Sequence, residues 1–219
     1  MARRTAAPVP PRDHTPDLPP LRAELSRLAA RAEVVGADVT LEAGDVDAAH
    51  ARLAESHLSA ASVGRLDLTG ATLADVAIDD LRAVELTARD STWRNVVVDG
   101  GRIGTLDGLR AEWDGVTLRG LRIDYLSLPS ASLTDVRIVG CGIGTLDLPE
   151  GRLTRVLFED TRADEVDTRG LRPADLDLRG LEALTFTDPR GLSGTWLSRR
   201  QAELHALPFA QALGIRIAE

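Results

Sequence analysis

The sequence has very few aromatic residues, no lysine and a single cysteine. Aromatic residues make up 3% of the 219 positions, so any core has to be built from aliphatic side chains. All 26 basic residues are arginine, and the net charge of -8 argues against a bare nucleic-acid phosphate surface as partner. The lone Cys141 excludes an internal disulfide and a multi-cysteine metal site.

Long apolar runs and catalytic motifs are also lacking. No stretch approaches the roughly 20 apolar residues of a membrane span. The first ten residues carry arginine without a following apolar segment, which is unlike a signal peptide, so we expect a cytoplasmic protein. The four histidines are scattered, and the glycine-rich stretch 100–108 lacks the ending of a phosphate-binding loop. We therefore expect no enzyme, no metal and no cofactor.

What the sequence does contain is an apolar residue at every fifth position. A strand repeats every two residues and a helix every 3.6, so neither explains a step of five. The step keeps its register from residue 53 to residue 163, and a second apolar series lies two residues earlier. The core predicted from the first series includes Leu68, Leu73, Ile78, Trp93, Val98, Trp113, Leu118, Ile123, Leu133, Ile138, Leu153 and Phe158.

A longer period lies on top of the step of five. Valine recurs at 76, 96, 116, 136 and 156, so four five-residue units make one coil and equivalent sides stack. Trp93 and Trp113 are preceded by the small Ser91 and Ala111, as a narrow, close-packed interior requires. The pattern predicts an all-β solenoid with one corner column formed by Asp80, Gly100, Gly120, Gly140, Asp160 and Gly180.

The units "ATLAD" (71–75), "ASLTD" (131–135) and "LDLTG" (66–70) resemble the pentapeptide-repeat family. The resemblance implies a right-handed quadrilateral β-helix with four repeats per coil. Characterised members of that family include non-enzymatic proteins that mimic DNA, bind DNA gyrase or topoisomerase IV and protect against quinolones. On that interpretation, the residues that contact the protein partner are Asp75, Asp79, Asp80, Asp99, Asp135, Glu159 and Asp160.

The charge density of the predicted solenoid separates the alternatives only in part. Residues 51–190 carry a net charge of -7. Seven coils extend about 34 Å at about 4.8 Å per coil, and duplex DNA carries about 20 charges over that length. The solenoid has about a third of that density, so a scaffold with an unknown protein partner remains open beside the DNA mimic. A ligand-binding protein or enzyme is the third alternative.

The two ends of the repeat region differ in composition. Residues 1–20 are rich in proline and are predicted to be a disordered tail. Residues 21–35 have the pattern of a short amphipathic capping helix, and 36–190 form the β-helix. Residues 191–219 contain a capping-box pattern at Ser198 and Gln201 and are predicted to be a helical segment that caps the last coil and forms a homodimer. The predicted dimer contacts are Trp196, Leu197, Leu204, Leu207, Phe209, Leu213 and Ile215.

Overall fold

Successive coils of the chain stack in parallel, and each residue pairs with the equivalent residue of the next coil. Leu73 pairs with Trp93, and Trp93 pairs with Trp113. The structure, a computed structural model, describes residues 7–23, 28–60 and 62–218. Within these residues it is a right-handed parallel β-solenoid of about eight turns, with two short α-helices near the end of the chain. The all-β solenoid predicted from the step of five is thus confirmed.

The described strands follow one another around the coils without long loops. They are Arg22–Ala23 (β1), Glu33–Val35 (β2), Ala37–Leu41 (β3), Gly44–Asp47 (β4), Arg52–Ala60 (β5), Ser62–Asp67 (β6), Thr72–Thr87 (β7), Thr92–Asp107 (β8), Glu112–Arg119 (β9), Arg122–Ser127 (β10), Ser132–Val139 (β11), Gly142–Asp147 (β12), Arg152–Glu159 (β13), Thr161–Asp167 (β14), Arg172–Asp177 (β15) and Leu181–Phe186 (β16). The pairings between these strands are parallel.

Both inward series fill the interior of the solenoid. All twelve side chains predicted for the core from the step of five are buried. The indoles of Trp93 and Trp113 stack with ring centroids 5.0 Å apart, next to the buried Ser91 and Ala111. The large rings fit because the neighbouring position on each of these levels is small, which keeps the packing dense.

The first coils carry a register shift. Val39 pairs with Leu58, so this coil is one position shorter than the later ones, and the regular spacing is reached through a bulge between Gly44 and Val46. A bulge adds one residue to one strand without breaking the sheet. The early apolar residues are therefore out of phase with the later repeat and still point inward.

The capping helix predicted over 21–35 is absent from the described part of that stretch. β1 pairs with β3 and β2 pairs with β5, so these residues extend the sheet instead. Residues 24–27 lie outside the described residues. Short strands form in the described part because the open edge of the first coil offers unpaired backbone groups, and a short helix without long-range packing is marginal.

The proline-rich tail predicted to be disordered is ordered over its described part. Residues 8–17, here called the strap, lie along the outside of the solenoid and contact coils from Asp175 to Asp75. Residues 1–6 lie outside the described residues. Composition alone favours disorder, but hydrogen bonds to the solenoid offset the cost of ordering a segment that proline already restricts.

The C-terminal segment caps the last coil. A 3₁₀ helix at Pro189–Leu192 leads to α1 (Arg199–Leu204) and α2 (Ala206–Ala212). The predicted capping box is present, because Ser198 and Gln201 exchange side-chain and backbone hydrogen bonds. The side-chain amide Nε2–H groups of Gln201 also donate to the carbonyls of Leu178 and Leu181 at 2.7 and 2.6 Å. One side chain thus joins the helix to the final coil.

Candidate interaction surface

The carboxylates that the sequence suggested as partner contacts lie in, or directly before, two corner columns of the solenoid. The glycine edge comprises Asp80, Gly100, Gly120, Gly140 and Asp160, and each has a positive φ between 46° and 69°. Gly180, the predicted sixth member, does not adopt this conformation. The strapped edge comprises Asp75, Asn95, Gly115, Asp135, Arg155 and Asp175, which also have positive φ. Aspartate, asparagine and glycine suit such corners because they tolerate left-handed backbone angles best.

The middle of the glycine edge carries no side chains. A Cβ atom placed on Gly100 would meet no atom within 4 Å, and one on Gly140 would meet only the backbone of Gly120, at 4.0 Å. Asp80 and Asp160 flank this bare stretch and lie four coils apart, which is about 19 Å. The edge therefore presents exposed backbone between two carboxylates.

Most predicted partner contacts near the glycine edge already have a cationic or imidazole neighbour. Asp79 accepts a hydrogen bond from His57 at 2.9 Å, Asp80 contacts Arg82 at 3.2 Å, and Asp99 contacts Arg119 at 2.8 Å. Glu159 and Asp160 are exposed. The cross-coil contact of Arg119 follows directly from the register of the coils, because Arg119 pairs with Asp99 one coil away.

The other two predicted contacts lie under the strap. Asp75 accepts hydrogen bonds from Asn95 and from the backbone of Asp17. Asp135 accepts two hydrogen bonds from Arg155, at 2.6 and 2.7 Å, and its side chain is 1% exposed. The Arg155 guanidinium lowers the pKa of Asp135 to about 2. These two carboxylates are therefore structural in this conformation, and the strap covers Asp135.

A third set of carboxylates was not identified from the sequence. Asp67, Asp107 and Asp167 each accept the backbone N–H of the residue two positions later, which closes the turn at that corner. Hydrogen bonds from Thr69 lower the pKa of Asp67 although burial opposes the shift. The signal was the recurrence of aspartate at this corner, at positions 67, 107, 147 and 167. These carboxylates therefore serve mainly to stabilise the turns of the solenoid.

The residues with potential chemistry are few among the described ones. Cys141 is buried, and burial raises the pKa of its thiol, which does not suit a nucleophile. His14, Asp114 and Asp135 each place one possible metal-ligand atom within 4.8 Å of the others. A cation there would have to displace the Arg155 guanidinium from Asp135. The arrangement is thus better suited to holding the strap than to binding a metal.

The predicted dimer contacts divide into two groups. Trp196 joins the sheet by pairing with Asp177, and Leu197 and Phe209 pack against the core of their own chain. His205, which no sequence argument singled out, is buried between Phe186 and Phe209. The side chains left exposed are Leu204, Leu207, Leu213 and Ile215, together with Ile217.

Comparison with protein-family models and with curated proteins finds no match to this chain. Within the described residues, the helices are all too short to cross a membrane. The functional argument therefore rests on the geometry of the surface and on the residues themselves.

Proposed function

We propose that this chain is a non-enzymatic β-solenoid that binds another protein through the glycine edge. The observation that carries the proposal is the bare backbone of Gly100, Gly120 and Gly140 between the carboxylates of Asp80 and Asp160. Side chains of a partner can approach this backbone closely, and the flanking carboxylates favour a partner with basic groups about 19 Å apart. The filled interior supports a role for the outer surface rather than for a cavity.

We further propose membership of the pentapeptide-repeat family, which makes DNA gyrase or topoisomerase IV the first partner to test. The charge supports this only modestly. Arg110 pairs with Asp90, and Arg119 pairs with Asp99, so parts of the acidic surface are neutralised. A scaffold that binds a different protein through the same edge is the alternative, and the pairing of these carboxylates favours it over close mimicry of DNA.

The experiment is a gyrase supercoiling assay with purified full-length protein, with and without a quinolone. Protection or inhibition by the wild-type chain at micromolar concentrations supports gyrase as the partner. Asp80→Asn with Asp160→Asn should then weaken the effect, because both flanking charges of the glycine edge are removed. Asparagine tolerates the left-handed corners at these positions.

The matched control removes two charges from another side of the same region. Asp164→Asn with Glu165→Gln changes exposed carboxylates away from the glycine edge and should leave the effect intact. Equal loss in both double variants would place the interface elsewhere. If the wild-type chain leaves gyrase and topoisomerase IV unchanged, the topoisomerase partner is wrong and the scaffold alternative stands.

We also propose that the chain forms a homodimer through the exposed apolar side of the C-terminal segment. Leu204, Leu207 and Leu213 are more than half exposed, with 68%, 52% and 73% of their surfaces accessible. Leu204 ends α1, Leu207 lies in α2 and Leu213 follows α2, and Phe209 of α2 packs against the core of the solenoid. A two-fold contact would cover this apolar surface and close the assembly.

A further inference from the structure

The strap follows the strapped edge in an extended conformation. Val9 lies at the coil of Asp175 and Asp17 lies at the coil of Asp75, so the strap runs against the order of the coils. Five coil steps measure about 24 Å, and eight residues of polyproline II helix measure about 25 Å. The two lengths match. Proline at 8, 10, 11 and 16 restricts the strap to this kind of conformation.

The solenoid holds the strap mainly by its backbone. The backbone N–H groups of Val9, Arg12 and Asp17 donate to Asp175, Asp135 and Asp75 at 3.2, 3.0 and 3.3 Å. In the other direction, Arg137 donates to the carbonyl of Pro11 at 2.8 Å, and Asn95 donates to the carbonyl of Thr15 at 3.0 Å. Donors and acceptors on the solenoid thus match those of an extended chain over its whole length.

Two neighbouring charges of the strap add specificity to this backbone contact. Asp13 accepts a hydrogen bond from Arg137 at 2.7 Å, and the Arg12 guanidinium lies 3.8 Å from Asp135. The order of the charges is therefore matched to the solenoid, with an acidic group facing Arg137 and a basic group facing Asp135.

Gly115 makes room for the strap at its centre. A Cβ atom on Gly115 would lie 2.6 Å from Cγ of His14, so any side chain there would collide with the imidazole. On the glycine edge, a Cβ on Gly120 would meet only the backbone of Gly100 at 4.0 Å, although both Gly115 and Gly120 are left-handed. The left-handed backbone angle favours glycine at both positions. At Gly115 the ring of His14 also leaves no room for a side chain.

We infer that the strapped edge is a binding site for an extended, proline-containing peptide segment with adjacent basic and acidic side chains, and that the strap is its intramolecular ligand. A tethered ligand is present at a high effective concentration, so a segment of a partner protein occupies the edge only when the strap leaves. This site is separate from the glycine edge and does not depend on a topoisomerase partner. A bound partner segment would replace the strap at Asp75 and Asp135.

The test measures binding of a fluorescent peptide with the sequence of residues 7–18 to the full-length chain by anisotropy. Arg12→Glu with Asp13→Arg reverses the charges of the strap and leaves the solenoid unchanged. The Kd of the peptide for this variant should be at least roughly 10-fold lower than its Kd for the wild-type chain, because the strap of the wild-type chain competes with the peptide. A peptide with the same charge reversal should not bind the charge-reversed chain, because like charges would then face Asp135 and Arg137.

A second pair of substitutions locates the binding site. Added to the charge-reversed chain, Gly115→Asn should abolish peptide binding, because the side chain fills the place of the His14 ring. Gly120→Asn is the matched control and should leave binding intact, since asparagine tolerates the left-handed corner at both positions. Loss of binding in both variants, or in neither, would overturn the assignment.

Amide hydrogen exchange of the strap keeps the inference testable if the charge-reversed chain does not fold. In the wild-type chain and in Gly120→Asn, the amide of Arg12 should be protected, and in Gly115→Asn it should exchange rapidly. Rapid exchange in the wild-type chain would overturn the inference. So would equal peptide binding by the folded wild-type and charge-reversed chains, or no binding by either.

Discussion

The glycine edge and the strapped edge have the same backbone and very different surroundings. Both repeat a left-handed residue once per coil on the same buried interior. The strapped edge places aspartate, asparagine and arginine at most of its corners and is covered by residues 8–17. The glycine edge has bare backbone at its centre, and no described residue covers it. The difference shows that the coil fixes where a corner lies, while the corner side chain decides whether a segment of chain can bind there.

The largest effect is expected from a substitution in the buried interior, which supports both edges. Ile123 is buried and is stacked between Ile103 and Ile143. Ile123→Asp should lower the free energy of unfolding by about 4 kcal/mol or more, because an unpaired carboxylate enters an apolar interior. Thr117→Asp, on the outer surface, should change it by about 0.5 kcal/mol or less. Thermal unfolding measures both, and equal melting temperatures would contradict the register.

Removing one ion pair from each edge should lower the free energy of unfolding by a smaller amount, and by different amounts at the two edges. Arg155→Gln leaves the carboxylate of Asp135, whose side chain is 1% exposed, without its main partner. We expect a loss of about 2 kcal/mol in the free energy of unfolding. Arg119→Gln removes the partner of Asp99, which is 43% exposed, and should cost about 0.5 kcal/mol or less. Denaturant titration compares the two variants, and similar losses would show that the strap does not bury Asp135 in solution.

The contrast between covered and open surfaces extends to the C-terminal segment. Leu207→Glu with Leu213→Glu changes its exposed side only and should halve the mass in solution from that of a dimer to the 23.5 kDa of one chain. The variant should remain a folded monomer, since Leu207 and Leu213 are exposed on their own chain. Light scattering makes the measurement. A wild-type chain that is monomeric at tens of micromolar would contradict the proposed dimer.

The smallest expected effect is a pH dependence next to the glycine edge. Burial lowers the pKa of His57, but its hydrogen bonds to Asp38 and Asp79 outweigh this effect and raise the pKa above 6.5. Because the pKa of His57 is higher in the folded than in the unfolded state, its protonation stabilises the fold. This contribution is complete at a pH below the unfolded-state pKa and is lost as the pH rises through the folded-state pKa. The wild-type chain should therefore lose more stability than His57→Asn as the pH rises from below 6.5 through the folded-state pKa. Melting curves across that range check the difference, and parallel curves would exclude the contribution.

The repeat region was predictable because burial itself is periodic. Inward positions recur every five residues, so counting along the sequence identifies side chains such as Leu118 and Ile138 as buried. Each additional coil repeats the pattern and so supports the same register. The capping box of Ser198 and Gln201 was also local enough to predict. The stretch 21–35 was not, because the open edge of the first coil competes with the helix for the same residues.

The sequence assigned the predicted partner contacts only to positions at or next to corners. Placing Asp79, Asp80, Asp99, Glu159 and Asp160 near one edge follows from their separation by whole coils. Asp80 is paired with Arg82 two residues away, whereas Asp135 is paired with Arg155 one coil away. Which carboxylates are covered depends on a segment far along the chain, as Arg12 is from Asp135. Coverage by the strap leaves no mark in the composition around Asp135.

The sequence by itself thus determined the solenoid, its interior and the location of its corners, since these require only that every five-residue unit bury the same two positions. The tertiary structure alone decided the course of the strap. Its contacts join residues separated by as many as 166 positions, and the proline content of 1–20 is equally typical of disorder. Gly115 is the corner that makes room for the strap, and the ring of His14 had to be in place before that glycine could be told apart from an ordinary corner.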